Sequence, residues 1–86
     1  MECKFSRVAA HYIKSQDKPT RERLKAAIMG LMEIPPNGDI KLMQGYKDHV
    51  YRLRVGGYRV IYEFCEIDGQ QCLYIRDIGS RGDIYK

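Results

Sequence analysis

The sequence predicts an α+β fold: a short N-terminal strand, a helical hairpin, then an antiparallel β meander with both helices packed on one sheet face. Three observations predict it. Apolar residues recur at helical spacing between Val8 and Met32, and after Asn37-Gly38 the pattern changes to period two. Within that second half, Gly56-Gly57 and Asp68-Gly69 are two-residue hairpin signals between apolar runs.

Taken in order, Glu2 to Phe5 reads as a strand with Cys3 and Phe5 on one side. Ser6 reads as the N-cap of a helix in which Val8, Ala9, Tyr12 and Ile13 form the apolar stripe, ending in the polar run from Lys14 to Asp17. Pro19 suits the first turn of a second helix, where Leu24, Ala27, Ile28, Leu31 and Met32 recur at helical spacing until Pro35-Pro36 stops it. The basic residues near its start, Lys18, Arg21, Arg23 and Lys25, read as a solvated face. Strands are then predicted over Ile40 to Met43, Val50 to Val55, Tyr58 to Glu66 and Gln71 to Ile78.

Length and composition set the frame for these elements. A chain of 86 residues, 44% hydrophobic and 30% charged, is expected to form one domain over 1–86 and to be globular. Its net charge of +4 biases it toward an anionic partner. No apolar run approaches the roughly 18 residues of a membrane span, and MECKFSRVAA has no secretory apolar segment, so a cytoplasmic setting is expected. Cys3, Cys65 and Cys72 are an odd number in no metal-like spacing and read as small apolar filler.

With Gly56-Gly57 as the turn, Val55 lies opposite Tyr58, Leu53 opposite Val60 and Tyr51 opposite Tyr62, and this apolar set faces the helices. His49 shares their parity and is expected on the packed side. The other face receives Arg52, Arg54 and Arg59, with Arg54 directly across from Arg59 and their Cβ atoms about 5 Å apart. Residues 41–62 hold five basic residues, Lys41, Lys47, Arg52, Arg54 and Arg59, against one acid, Asp48, so local carboxylates are not expected to neutralise the cluster. The face reads as an anion site; its alternative is an ordinary solvent face whose arginine stems cover neighbours such as Ile61. Under the Asp68-Gly69 turn, Ile61 is expected opposite Arg76 and Glu63 opposite Tyr74, which makes Arg76 and Glu63 a structural pair. Beyond the last strand, the turn that begins at Gly79 is expected to bring Arg81 and Tyr85 over the end of the sheet.

The run GYKDHVYRLRVGGYRVIYEF at Gly45 to Phe64, followed by IRDIGSRGDIYK at Ile75 to Lys86, resembles the RelE/ParE superfamily of toxins from bacterial and archaeal type II toxin–antitoxin modules. The likeness covers nearly the whole chain: the helical hairpin ending in a proline, GDIKLMQG, YRLRVGGYRVIY and RGDIYK follow in the order that superfamily uses. The tail and the two basic hairpin positions resemble the RelE branch, messenger-RNA endonucleases that cut in the ribosomal A site, more than the ParE branch, which targets DNA gyrase.

The resemblance implies a RelE-like fold and a ribosome-dependent mRNA endonuclease that inhibits translation. It implies no cofactor, no metal and no membrane; the partners would be a cognate antitoxin, the ribosome and mRNA. Cleavage would proceed by attack of the neighbouring 2′-hydroxyl on phosphorus. Arg59, Arg81, Tyr85 and Arg54 are the catalytic residues it implies, and Arg52 and Arg54 those for RNA binding. Arg59 and Arg81 would hold the phosphate, Arg54 the reactive nucleotides, Arg52 the flanking backbone or the leaving oxygen, and Tyr85 a base or the nucleophile. Well-studied RelE members carry lysines where this chain has Arg52 and Arg54, and arginine exchanges its proton poorly. The alternatives are a ParE-like gyrase inhibitor and a catalytically inert nucleic-acid-binding relative.

Overall fold

Ser6 joins the first strand to the first helix and anchors both to the sheet. Its extended backbone, φ −63° and ψ 163°, lets its Oγ accept the Ala9 N–H at 3.0 Å, while its hydroxyl donates to the Arg76 carbonyl at 2.7 Å. Asp17 starts the second helix in the same manner, accepting the Thr20 N–H at 3.4 Å, with a proline in the first turn. The computed structural model describes residues 1–45 and 49–80. Its elements are β1 (Glu2–Phe5), α1 (Arg7–Ser15), α2 (Lys18–Gly30), β2 (Asp39–Leu42), β3 (Val50–Val55), β4 (Tyr58–Ile67) and β5 (Gln70–Ser80). Helix α2 stops at Gly30, short of the predicted Met32, where Gly30 accepts the Asn37 N–H at 2.9 Å as the chain folds back.

The sheet has five strands in the order β1-β5-β4-β3-β2. Strands β2 to β5 form the predicted antiparallel meander, and β1 adds a parallel edge against β5, so the sheet is mixed. Ala9 and Ile13 of α1, Leu24 and Ile28 of α2, and Leu31 just beyond it pack on one face against Leu53, Val55, Val60, Tyr62, Leu73, Ile75 and Ile78. Tyr62 is the largest side chain wholly buried there, stacked on Tyr51 at 5.5 Å and edge-on to Phe64 at 5.8 Å. Among the described residues no helix is long and apolar enough to cross a membrane.

The β3–β4 register is the predicted one, with Leu53 on Val60, Arg54 on Arg59 and Val55 on Tyr58. Gly56 has φ +59°, as the first position of a type II′ turn requires. The β4–β5 register departs from strict alternation. Glu63 pairs with Tyr74 as expected, but Ile61 pairs with Asp77, not Arg76, because a bulge lies between Ile61 and Tyr62 and Arg76 is the extra residue. Ile75 and Ile78 are three apart, so alternation would send one of them to the open face; the bulge turns both into the core, where each is 3% exposed or less.

Candidate functional site

Because the helices occupy one face, the even positions of β3 project from the other. Arg52 and Arg54 come from β3 and Arg59 from β4, with Arg54 and Arg59 opposite each other across the hairpin. Strand β2 adds to this set: Lys41 pairs with Arg52 and Asp39 with Arg54, so both β2 residues share the arginine face. Ile40, between them, packs toward the core. Together Lys41, Arg52, Arg54 and Arg59 line a groove of about 620 Å³, rimmed by Leu42, Met43 and Gln44 at the sheet edge.

The cations are not equivalent. Arg54 is exposed. The Arg52 side chain is only 11% exposed, lies opposite the buried Ile61, and has an Asp39 oxygen 3.9 Å from its Nη2. That separation is an ion pair through space and too long for a hydrogen bond. Arg59 is half-buried, with its Nε withdrawn from solvent. Carboxylates do approach the cluster without neutralising it. Asp39 does so at Arg52, and the bulge sets Asp77 opposite Ile61, where its carboxylate accepts the Ile78 N–H at 2.9 Å. Asp39 precedes residues 41–62 in the sequence, and strand pairing brings it to their face. Four cations still face one carboxylate across β2, β3 and the near end of β4.

Arg76 is bound to Glu63 at 2.7 Å, which fits its structural reading. His49 departs from the parity expectation: it has φ 71°, precedes the start of β3 and is exposed, so strand alternation does not reach it. Arg81 and Tyr85 lie outside the described residues. The thiols fit the reading as filler: burial pushes Cys3 up, and burial followed by a hydrogen bond with Cys72 pushes Cys65 up, which disfavours thiolate at both. Burial, then the neighbouring Tyr51, pushes the Tyr62 phenol up to about 12, and the phenol faces the helices, away from the groove.

Lys41 in the groove and Asp39 beside it are the residues of this face that patterns in β3 and β4 alone do not reveal. The signal for them is the alternation around Ile40: once that side chain is placed in the core, its two neighbours must face the arginines. Arg23 of α2 is a second addition. Its guanidinium lies against Gly56 so closely that a Cβ there would clash with it, which brings one cation of the basic set read as a solvated face to the hairpin tip.

The profile of the ParE toxin of the type II toxin–antitoxin system, parDE, matches residues 4–85. No curated protein sequence matches significantly. Among solved structures, the chain is similar to one in the RelB–RelE antitoxin–toxin complex from Methanococcus jannaschii, at 26% identity and TM-score 0.69, covering 94% of this chain and 93% of that one. The archaeal RelE–RelB complex from Pyrococcus horikoshii OT3 gives 26% identity and TM-score 0.68, covering 95% and 96%. The isolated E. coli RelE toxin gives 25% identity and TM-score 0.70, covering 92% and 82%.

Proposed function

The chain belongs to the RelE/ParE superfamily of type II toxins, on its RelE side, and from that premise we propose that it is a ribosome-dependent endonuclease of messenger RNA. A cognate antitoxin holds it in check, as RelB accompanies RelE in two of the similar structures. The observation that carries the nuclease reading is Arg54 set directly across from Arg59, beside Arg52 and Lys41, in an open groove. Like charges opposed on a sheet destabilise it, by on the order of 0.2 to 1 kcal/mol per pair. An arrangement that works against the fold makes sense when an anion completes it.

In the reaction the 2′-hydroxyl attacks phosphorus, and negative charge builds on the non-bridging oxygens and on the departing 5′-oxygen. Arg59 and Arg81 bind the phosphate, whose geometry a guanidinium matches with two parallel hydrogen bonds. Arg54 holds the reactive nucleotides, Arg52 the flanking backbone, and Tyr85 stacks on a base or orients the nucleophile. Donors aimed at developing charge supply about 2.7 to 4 kcal/mol each, so Arg59→Ala should slow cleavage roughly 100- to 1000-fold. The ribosome supplies what such a site lacks: it holds the messenger in a reactive geometry, an effect worth several kcal/mol.

A gyrase-binding reading is favoured by one observation, the ParE name of the matching profile. Two measurements separate the readings. Primer extension on messenger from cells expressing the chain should give discrete stops within codons, and these should fade with Arg59→Ala and Tyr85→Ala. A supercoiling assay with gyrase should show no inhibition; inhibition without messenger stops would replace the nuclease with the gyrase inhibitor.

A further inference from the structure

The three arginines of the groove can bind phosphate, but none is suited to giving up a proton. A guanidinium stays charged across the working range, whereas an alkylammonium exchanges its proton readily. The 5′-oxygen that leaves a cleaved phosphodiester needs a proton, and among the groove's described residues only Lys41 carries one it can release. Lys41 sits on the edge strand β2, directly across from Arg52 and on the same face as Arg54 and Arg59. It is exposed, and among the described residues it makes no ion pair, while the neighbouring Asp39 is drawn to Arg52. Among the described residues its ammonium is thus uncommitted, at the edge of the groove.

Resting on the nuclease reading above, we propose that Lys41 is a catalytic residue, the general acid that protonates the leaving 5′-oxygen. The 2′-oxygen loses its proton to solvent and forms a bond to phosphorus, and the bond from phosphorus to the 5′-oxygen breaks. That oxygen takes a proton from Lys41 Nζ, and the neutral amine regains one from solvent. The products are a 2′,3′-cyclic phosphate and a 5′-hydroxyl, with no net change in protons. General acids of this kind contribute about 100- to 10,000-fold.

The test uses programmed ribosomes, the full-length protein and two messengers, one ordinary and one in which sulfur replaces the 5′-bridging oxygen at the cut site. A thiolate leaves without needing a proton. Lys41→Arg keeps the positive charge on an exposed position, so it should fold and bind antitoxin as the wild type does. It should cut the ordinary messenger at least about 100-fold more slowly and the sulfur-substituted one at the wild-type rate. Tyr85→Ala, by contrast, should be slow on both. An unchanged rate for Lys41→Arg, an equal loss on both messengers, or rescue of Tyr85→Ala in its place would overturn the assignment. If the wild type cuts neither messenger on the ribosome, the nuclease reading itself fails, and that outcome is distinct from the other three.

Discussion

Asp39 shows how a single carboxylate shapes the arginine face. It stands opposite Arg54 in register and 3.9 Å from Arg52 Nη2, so it competes with any phosphate for that guanidinium. Its side chain is 58% exposed, which keeps the interaction within the roughly 0 to 1 kcal/mol of a surface pair. Asp39→Asn should therefore tighten RNA binding a few-fold at low ionic strength. The gain should vanish at high salt, where screening removes both attraction and competition. Fluorescence anisotropy with a short labelled RNA across a salt series reads both arms, and unchanged affinity at low salt would remove Asp39 from the electrostatics of the groove. Arg52, Arg54 and Arg59 were legible because the Gly56-Gly57 turn fixes their parity. Lys41 belongs to the same basic stretch, but its place across from Arg52, like that of Asp39 across from Arg54, depends on which strand pairs with β3.

At the level of elements, the β3–β4 hairpin positions the site, and its tip is asymmetric. Gly56 holds φ +59° beneath the Arg23 guanidinium, while Gly57 has open space around its Cα. A side chain at the first position meets the left-handed penalty of about 1 to 2 kcal/mol, and the flexible end of Arg23 can move aside at little cost. Gly56→Ala should thus lower the unfolding free energy in urea by about that amount, and Gly57→Ala by clearly less. Equal effects would mean that the turn is not set by the first glycine. The two-residue turns and the Ser6 cap were readable from local chemistry. The bulge at Arg76 was not, because alternation is a rule for regular ladders; only the spacing of Ile75 and Ile78 hinted that both had to reach the core. The parallel pairing of β1 with β5 was likewise beyond local pattern, since an edge strand's partner is chosen by how the helical hairpin returns the chain to the sheet.

Across the whole molecule, helices on one face leave the other free for charge, and the core and groove can be perturbed separately. Tyr62 is the clearest handle on the core. Burial raises its phenol to about 12, above the reference value near 10, so the folded state favours the protonated form. This contribution is present in full below pH of about 10 and is lost as pH rises toward 12. Chemical denaturation at pH 9 and pH 11 should show a fall in stability that shrinks in Tyr62→Phe; an identical fall in both proteins would place the alkaline sensitivity elsewhere. Groove variants at exposed positions such as Arg54 should leave this profile unchanged.

The central claim is that the cations on the open face cut messenger RNA presented by the ribosome. Purified protein, ribosomes and a defined messenger test it most directly in one reaction, with the same RNA free of ribosomes alongside. Discrete cuts within the codon in the A site, little cutting of the free RNA, and loss of the cuts with Arg59→Ala are the predicted result. Intact messenger on the ribosome, or equal cutting of free RNA by wild type and Arg59→Ala, would contradict it.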